Sequence, residues 1–141
     1  MSREKEAVPS MDQWLREAKE DPQAASCGMY LFHNGVVRQS AKASVREGKE
    51  GLPPVAGLTF SYEEQKVQEA IRKTYEMPGI YYVKVWLNQG ELEVGDDMMR
   101  VLVGGDIRPR VIDALQALVE EIKTNCVEEV ETFYYETQPS G

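Results

Sequence analysis

The chain has 141 residues, 42% hydrophobic and 28% charged, and carries a formal net charge of −8 at pH 7. That length suits one domain, 1–141, with a real core, and the acid excess argues against general nucleic-acid binding, which needs a basic footprint. No apolar run approaches the roughly 20 residues of a membrane span, and the opening MSREKEAVPS lacks the apolar centre of a secretory signal, so a cytoplasmic protein is expected.

Residues 1–9 and 136–141 are polar and read as disordered. Ser10 is placed to cap a short helix, with Gln13 at the capping-box position. Trp14, Leu15 and Ala18 give that helix an apolar face, and Asp21-Pro22 ends it. Residues 27–38, CGMYLFHNGVVR, carry the first strand signal. Asn34-Gly35 inside it can be a hairpin turn or a bulge in one bent strand, and the short second run favours the bulge. The polar stretch 39–53 reads as a solvated loop or, with Lys42, Arg46 and Lys49, as a lid over an anionic ligand.

Residues 55–62 alternate as a strand should. Residues 62–75 come next as a helix with Val67, Ala70, Ile71 and Thr74 on one face. The aromatic and β-branched IYYVKVWL at 80–87 is the strongest strand in the chain. Turns at 88–90 and 95–96 bracket a short alternating segment before an apolar run at 98–103. Gly104 and Gly105 then admit backbone angles closed to other residues, and Asp106 is a plausible N-cap with Pro109 in the first turn. The closing helix is expected over 106–124, with Val111, Leu115, Leu118 and Ile122 on one stripe and Asn125 as its stop. Residues 127–135 read as an edge strand whose acids discourage open-edge pairing. The order β, β, α, β, β, β, α, β after the first helix predicts an α+β fold, a sheet with two main helices packed on one face, rather than a doubly wound parallel fold. GxGxxG, P-loop and GxSxG motifs are absent from the sequence.

His33 is the sole histidine and reads as a structural, hydrogen-bonded residue. Cys27 and Cys126 have neither CxxC spacing nor a histidine cluster nearby. Two buried free thiols are expected, with no metal site and no disulfide. The cations stand out. Arg38 ends an apolar strand, while Arg108 and Arg110 open a helix at the end that favours acids. These three arginines could meet over a phosphate, with helix N–H groups behind it. Lys123 ends the same helix about 22 Å from Arg108, at 1.5 Å rise per residue. Lys123 and Arg108 therefore cannot share a small ligand within one subunit, although across a subunit interface they could.

The frame GMYLFHNGVVR, with GELEVGDDMMRVLVGGDIRPRVIDALQALVEEIKT later in the chain, resembles the large, catalytic subunit of molybdopterin synthase over about residues 28–132. Gly35, Val37 and Arg38 match that family's Gly-x-Val-Arg strand end. Gly90, Leu92, Gly95 and Asp96 match its Gly-x-Leu-x-x-Gly-acid hairpin. The resemblance implies an α/β hammerhead fold with a β-hairpin subdomain, a homodimer, and no cofactor. It also implies a small ubiquitin-like sulfur-carrier subunit, whose C-terminal Gly-Gly thiocarboxylate passes sulfur to cyclic pyranopterin monophosphate and so makes molybdopterin. On this resemblance Arg38 and Arg108 bind the substrate phosphate, Arg110 is a secondary contact and Lys123 is the catalytic cation.

Two positions depart from the pattern. Ile107 replaces a histidine before the helix arginine, and Val130 stands where a second lysine is expected, seven residues after Lys123. Either another cation substitutes (Lys42, Arg46, Lys49 or Arg110), or the chain is a non-catalytic pterin- or carrier-binding homologue on the same fold.

Overall fold

Every strand among the described residues pairs antiparallel, and these strands divide between two sheets. In the computed structural model, which describes residues 7–40, 48 and 53–133, the helices are α1 (Met11–Glu20), α2 (Glu64–Tyr75) and α3 (Arg108–Glu121). The strands are β1 (Met29–Val36), β2 (Val55–Tyr62), β3 (Ile80–Leu87), β4 (Gly90–Glu93), β5 (Asp97–Gly105) and β6 (Val127–Phe133). One three-stranded sheet has the order β1-β5-β3 and the other β4-β2-β6. The expected single sheet is therefore two. The short segment before Gly95 does not pair with β5: β4 joins β2, and β5 joins β1 and β3. The turn between them, with Gly95 at φ +93, is the corner where the chain crosses from one sheet to the other.

The central strand β5 explains the layering. Its side chains alternate between faces, and Val101, Leu102 and Val103 are all fully buried. Val101 and Val103 face the main core with Val111, Leu118 and Ile122. Leu102 faces the other way, into a second cluster with Trp14 and Ala18 of α1, flanked by Tyr30, Phe32, Tyr82 and Trp86. The first sheet is thus covered on both faces: α2 and α3 occupy one, as expected, and α1 takes the other. Each buried Val or Leu contributes about 1.5–3 kcal/mol.

Helix ends obey local chemistry. The Ser10 side chain accepts from Gln13 N at 3.3 Å, but the Gln13 side chain donates to Glu17 instead of completing a capping box. Lys84 of β3 reaches Glu17 at 2.7 Å and lies 5.1 Å from the Trp14 ring centroid, fixing α1 on its sheet. Tyr75, the last residue of α2, accepts from Val83 N at 2.9 Å, tying that helix to β3. The register shift at Gly35/Val36 makes the Asn34-Gly35 feature a bulge, as its spacing suggested.

Two local expectations need correction. Gly104 and Gly105 do not use backbone angles closed to other residues: both lie in β5, and neither has a positive φ. Glycine is required there by close approach. A Cβ on Gly104 would sit 2.6 Å from the Tyr30 ring, and one on Gly105 would sit 2.5 Å from the Gly79 carbonyl oxygen. Asp106 is not the N-cap. Ile107 occupies that position, so the Asp106 carboxylate is one residue early and reaches Ile107 N, at 2.6 Å, rather than a helical N–H.

Candidate functional site

α3 does not end as a regular helix. Residues Ile122–Cys126 form a π-helical turn, closed by Val127 N–H donating to Ile122 O. Such turns insert a residue into the helical phase and recur at functional sites. Ile122 and Cys126 are buried in the core, which leaves Lys123 between them, half-buried and turned toward β6. Its ammonium lies 3.7 Å from Glu129.

Lys123 lines a cavity of about 520 Å³ at the seam of the two sheets. β1 supplies His33, Gly35 and Val36, with Val37 and Arg38 directly after them. β6 supplies Glu129, Val130, Glu131 and Phe133, while Val55, Leu58 and Met98 make an apolar floor. That size is in the range of small-molecule sites. The backbone around Arg38 is pinned on both sides: Val37 N donates to Asp96 O, Gly95 N donates to Val37 O, and Val55 N donates to Gln39 O. Arg38 itself is exposed, so the anchored backbone presents a solvent-facing cation at the rim.

The predicted cations therefore fall into two groups. Arg38 and Lys123 share a cavity; Arg108 and Arg110 are not among its lining residues. The β1–β5 register shows why. Val36 pairs with Asp97 and Met29 with Gly105, so Arg38 and Arg108 leave opposite ends of the same ladder, roughly 25 Å apart at about 3.4 Å per residue. The expected meeting of Arg38 with the two helix arginines does not occur within one chain. Arg110 has a local partner, the Asp106 carboxylate at 2.8 Å, and Arg108 is exposed. Lys42, Arg46 and Lys49, the cations of the suggested lid, lie outside the described residues.

Three wall residues are not among the cations that the sequence singles out. His33, expected to be structural, lines this cavity and a second one of about 670 Å³ beside α3. The signal was alternation: Tyr30 and Phe32 face α1, which turns Leu31 and His33 to the opposite side. Burial and the nearby Lys123 charge hold the imidazole below its ordinary pKa. Glu129 and Glu131 belong to the acids expected to protect an open edge. In β6 the odd-numbered residues are the more buried set, so both carboxylates belong to the inward face. Val130, at the position of the expected second lysine, is 52% exposed and contributes to the same cavity.

The cysteines are free, as expected, but only Cys126 is buried; Cys27 is partly exposed. Burial, then Glu121, raises the Cys126 thiol pKa, which disfavours a thiolate. Among the described residues no group of three or more His, Cys, Asp or Glu could hold a metal ion, and no helix is long and apolar enough to cross a membrane.

Comparison with solved structures gives a consistent answer on the fold. The chain is similar to molybdopterin synthase from Staphylococcus aureus, with a TM-score of 0.69 at 18% identity over 89% of this chain and 86% of that one. It is similar to the complex of subunits 1 and 2 of molybdopterin-converting factor from Helicobacter pylori, with a TM-score of 0.61 at 16% identity over 93% and 86%. A molybdopterin biosynthesis MoaE protein from Burkholderia ambifaria gives a TM-score of 0.65 at 12% identity over 93% and 88%. No curated protein sequence matches the chain. The family model described as MoaE protein matches residues 5–125, a span that includes Arg38, Arg108, Arg110 and Lys123 but stops short of β6. With most of its length matched, the chain belongs to the MoaE family, the large-subunit family of molybdopterin synthase, and so to molybdenum cofactor biosynthesis.

Proposed function

We propose that this protein is the sulfur-transferring large subunit of a molybdopterin synthase. It takes sulfur from the C-terminal thiocarboxylate of a small ubiquitin-like carrier subunit and delivers it to cyclic pyranopterin monophosphate. The observation that carries the reading is the convergence of Arg38 and Lys123 on one cavity. Arg38 at the rim suits a phosphate, which a guanidinium can grip with two parallel N–H donors. Lys123, set against an apolar floor, suits the negative charge that a thiocarboxylate brings and that builds up during attack on it. The H. pylori structure joins subunits 1 and 2 of molybdopterin-converting factor, which supports a small-subunit partner here. Arg108, at the far end of α3, serves the site of a second copy in a homodimer, and Arg110 stays with Asp106 as a lesser contact.

Reconstitution tests this reading: purified chain, thiocarboxylated carrier and cyclic pyranopterin monophosphate, with dithiolene product measured. Turnover by the wild type that Lys123→Ala abolishes supports it. No product, while a related synthase works in the same assay, sinks it.

A second reading has its own observation. Val130 fills the position of the missing lysine on the cavity wall, and Glu129 offsets part of the charge of Lys123. On that reading the chain binds the pterin or the carrier without turning over. Val130→Lys separates the two. A silent wild type that gains product formation with this substitution is a binding protein that lost one cation. A wild type already active, and changed less than about tenfold (~1.4 kcal/mol), is an enzyme that works without it.

A further inference from the structure

His33 lines both cavities and is the residue common to them. On one side lie Arg38, Lys123, Glu129 and Glu131. On the other, α3 contributes Asp113, Gln116 and Glu120 along a groove that opens beside the helix. Across the ladder, its β5 partner is the apolar Val101. The imidazole thus stands between a partly enclosed reaction space and an acidic groove.

The sulfur transfer proposed above creates a need that the two cations cannot meet. A thiocarboxylate that displaces an oxygen substituent from a pterin side-chain carbon forms a C–S bond as that C–O bond breaks, the oxygen leaving with the bonding pair, and its sulfur is then bonded both to that carbon and to the carrier's acyl carbon. Water must then attack the acyl carbon. The new C–O bond forms, the C–S bond breaks, and the sulfur keeps the bonding pair as a thiolate on the pterin. The carrier departs as a carboxylate, and both water protons must go elsewhere. An ammonium and a guanidinium have no lone pair with which to take one. A carboxylate can, but it is a base about two pK units weaker than imidazole, and Glu129 is already paired with Lys123.

We propose that His33 is the general base of this pocket, taking the first proton from the attacking water and releasing it into the groove beside α3. The second proton passes to bulk water as the carrier carboxyl ionises. An imidazole has one nitrogen to accept and another to donate, so it can face both spaces at once. Its desolvation and the Lys123 charge keep it unprotonated at neutral pH, the state a base needs.

This inference rests on the sulfur-transfer reading, and the experiment separates the two. Single turnovers are measured with the full chain, thiocarboxylated carrier and cyclic pyranopterin monophosphate, for wild type, His33→Ala and His33→Gln. The expected result is that both variants release carrier at least about 100-fold more slowly, that a carrier–pterin adduct accumulates by mass spectrometry, and that added imidazole restores part of the rate to His33→Ala. Wild type shows an acid limb below the ordinary imidazole value of about 6.5, and His33→Gln does not. Wild-type rates and an unchanged pH profile in His33→Gln overturn the inference while leaving the function standing. A wild type silent at every pH overturns both.

A second check needs no turnover. His33 is the single histidine of the chain, so its Cε1–H resonance reports its titration directly. Lys123→Gln is expected to raise the midpoint. A midpoint that does not move puts His33 outside the reach of Lys123 and removes the inference.

Discussion

Lys123 and Glu129 stand 3.7 Å apart where the π-helical turn runs into β6, both largely shielded from solvent. An acid so close to Lys123 sets the charge the cavity would present to an anion. A half-buried pair of this kind is worth on the order of 1 kcal/mol. Glu129→Gln should therefore tighten binding of inorganic pyrophosphate about fivefold, measured by calorimetry at low salt. Unchanged affinity would mean that pyrophosphate does not meet Lys123.

The proposal that the site is shared between two copies makes a sharper prediction. Arg108→Ala and Lys123→Ala should each be inactive alone. Mixed and allowed to exchange subunits, they form hybrid dimers in which one of two sites is intact, giving roughly a quarter of wild-type activity by random pairing. Activity that stays at zero in a verified mixture would assign both residues to the same copy of the site, or Arg108 to none.

Gly105 lies in β5 with its α-carbon turned to the Gly79 carbonyl, where a Cβ would come within 2.5 Å of the oxygen and 2.8 Å of Val111. Gly105→Ala must push β5 away from the turn before β3 or from the first turn of α3. A destabilisation of about 2–3 kcal/mol is expected, in the range of overpacked cores, read as a lower urea midpoint with an unchanged m-value. Gly48→Ala, which meets nothing within 4 Å, provides the contrast, although its φ of +66 carries a smaller backbone cost of its own.

His33 also leaves a mark on stability. Its folded pKa lies below the ordinary value, through burial first and Lys123 second. As pH falls through about 6.5 the unfolded imidazole takes up a proton before the folded one does, so the unfolded state binds more protons and stability declines. Above that value both forms are neutral and the residue adds no slope. Urea midpoints at about pH 7.5 and about pH 5.5 should therefore differ less for His33→Gln than for wild type. Equal differences would show that the ring is solvated as in the unfolded chain.

Much of this was legible in the residues because local patterns and tertiary packing agree. The IYYVKVWL run became β3 with the expected limits, and the 55–62 alternation became β2. What escaped was set by partners distant in sequence. Whether β4 pairs with β5 or with β2 depends on a sheet that neither segment reveals alone. Backbone freedom is not the reason for the glycine pair, which is the closeness of the Tyr30 ring and the Gly79 carbonyl. The candidate cations were all visible by type. Their grouping was not, because it depends on which ends of β1 and β5 lie together. His33 and Glu129 carried a readable signal in strand alternation, but it was outweighed by a bland explanation for each.

The wider turn at the end of α3 has one last implication. Five residues there, Ile122–Cys126, occupy a loop of backbone that a regular helix would close with fewer. The position of β6 relative to Lys123 is consequently fixed by a count of residues. Removing Thr124 or Asn125, both exposed, would leave the core side chains of α3 and Lys123 in place, yet it would rotate the residues downstream of the cut by about 100°, the step of one helical residue. Insertions and deletions here, more than substitutions, are the changes that decide whether Glu129 stays beside Lys123.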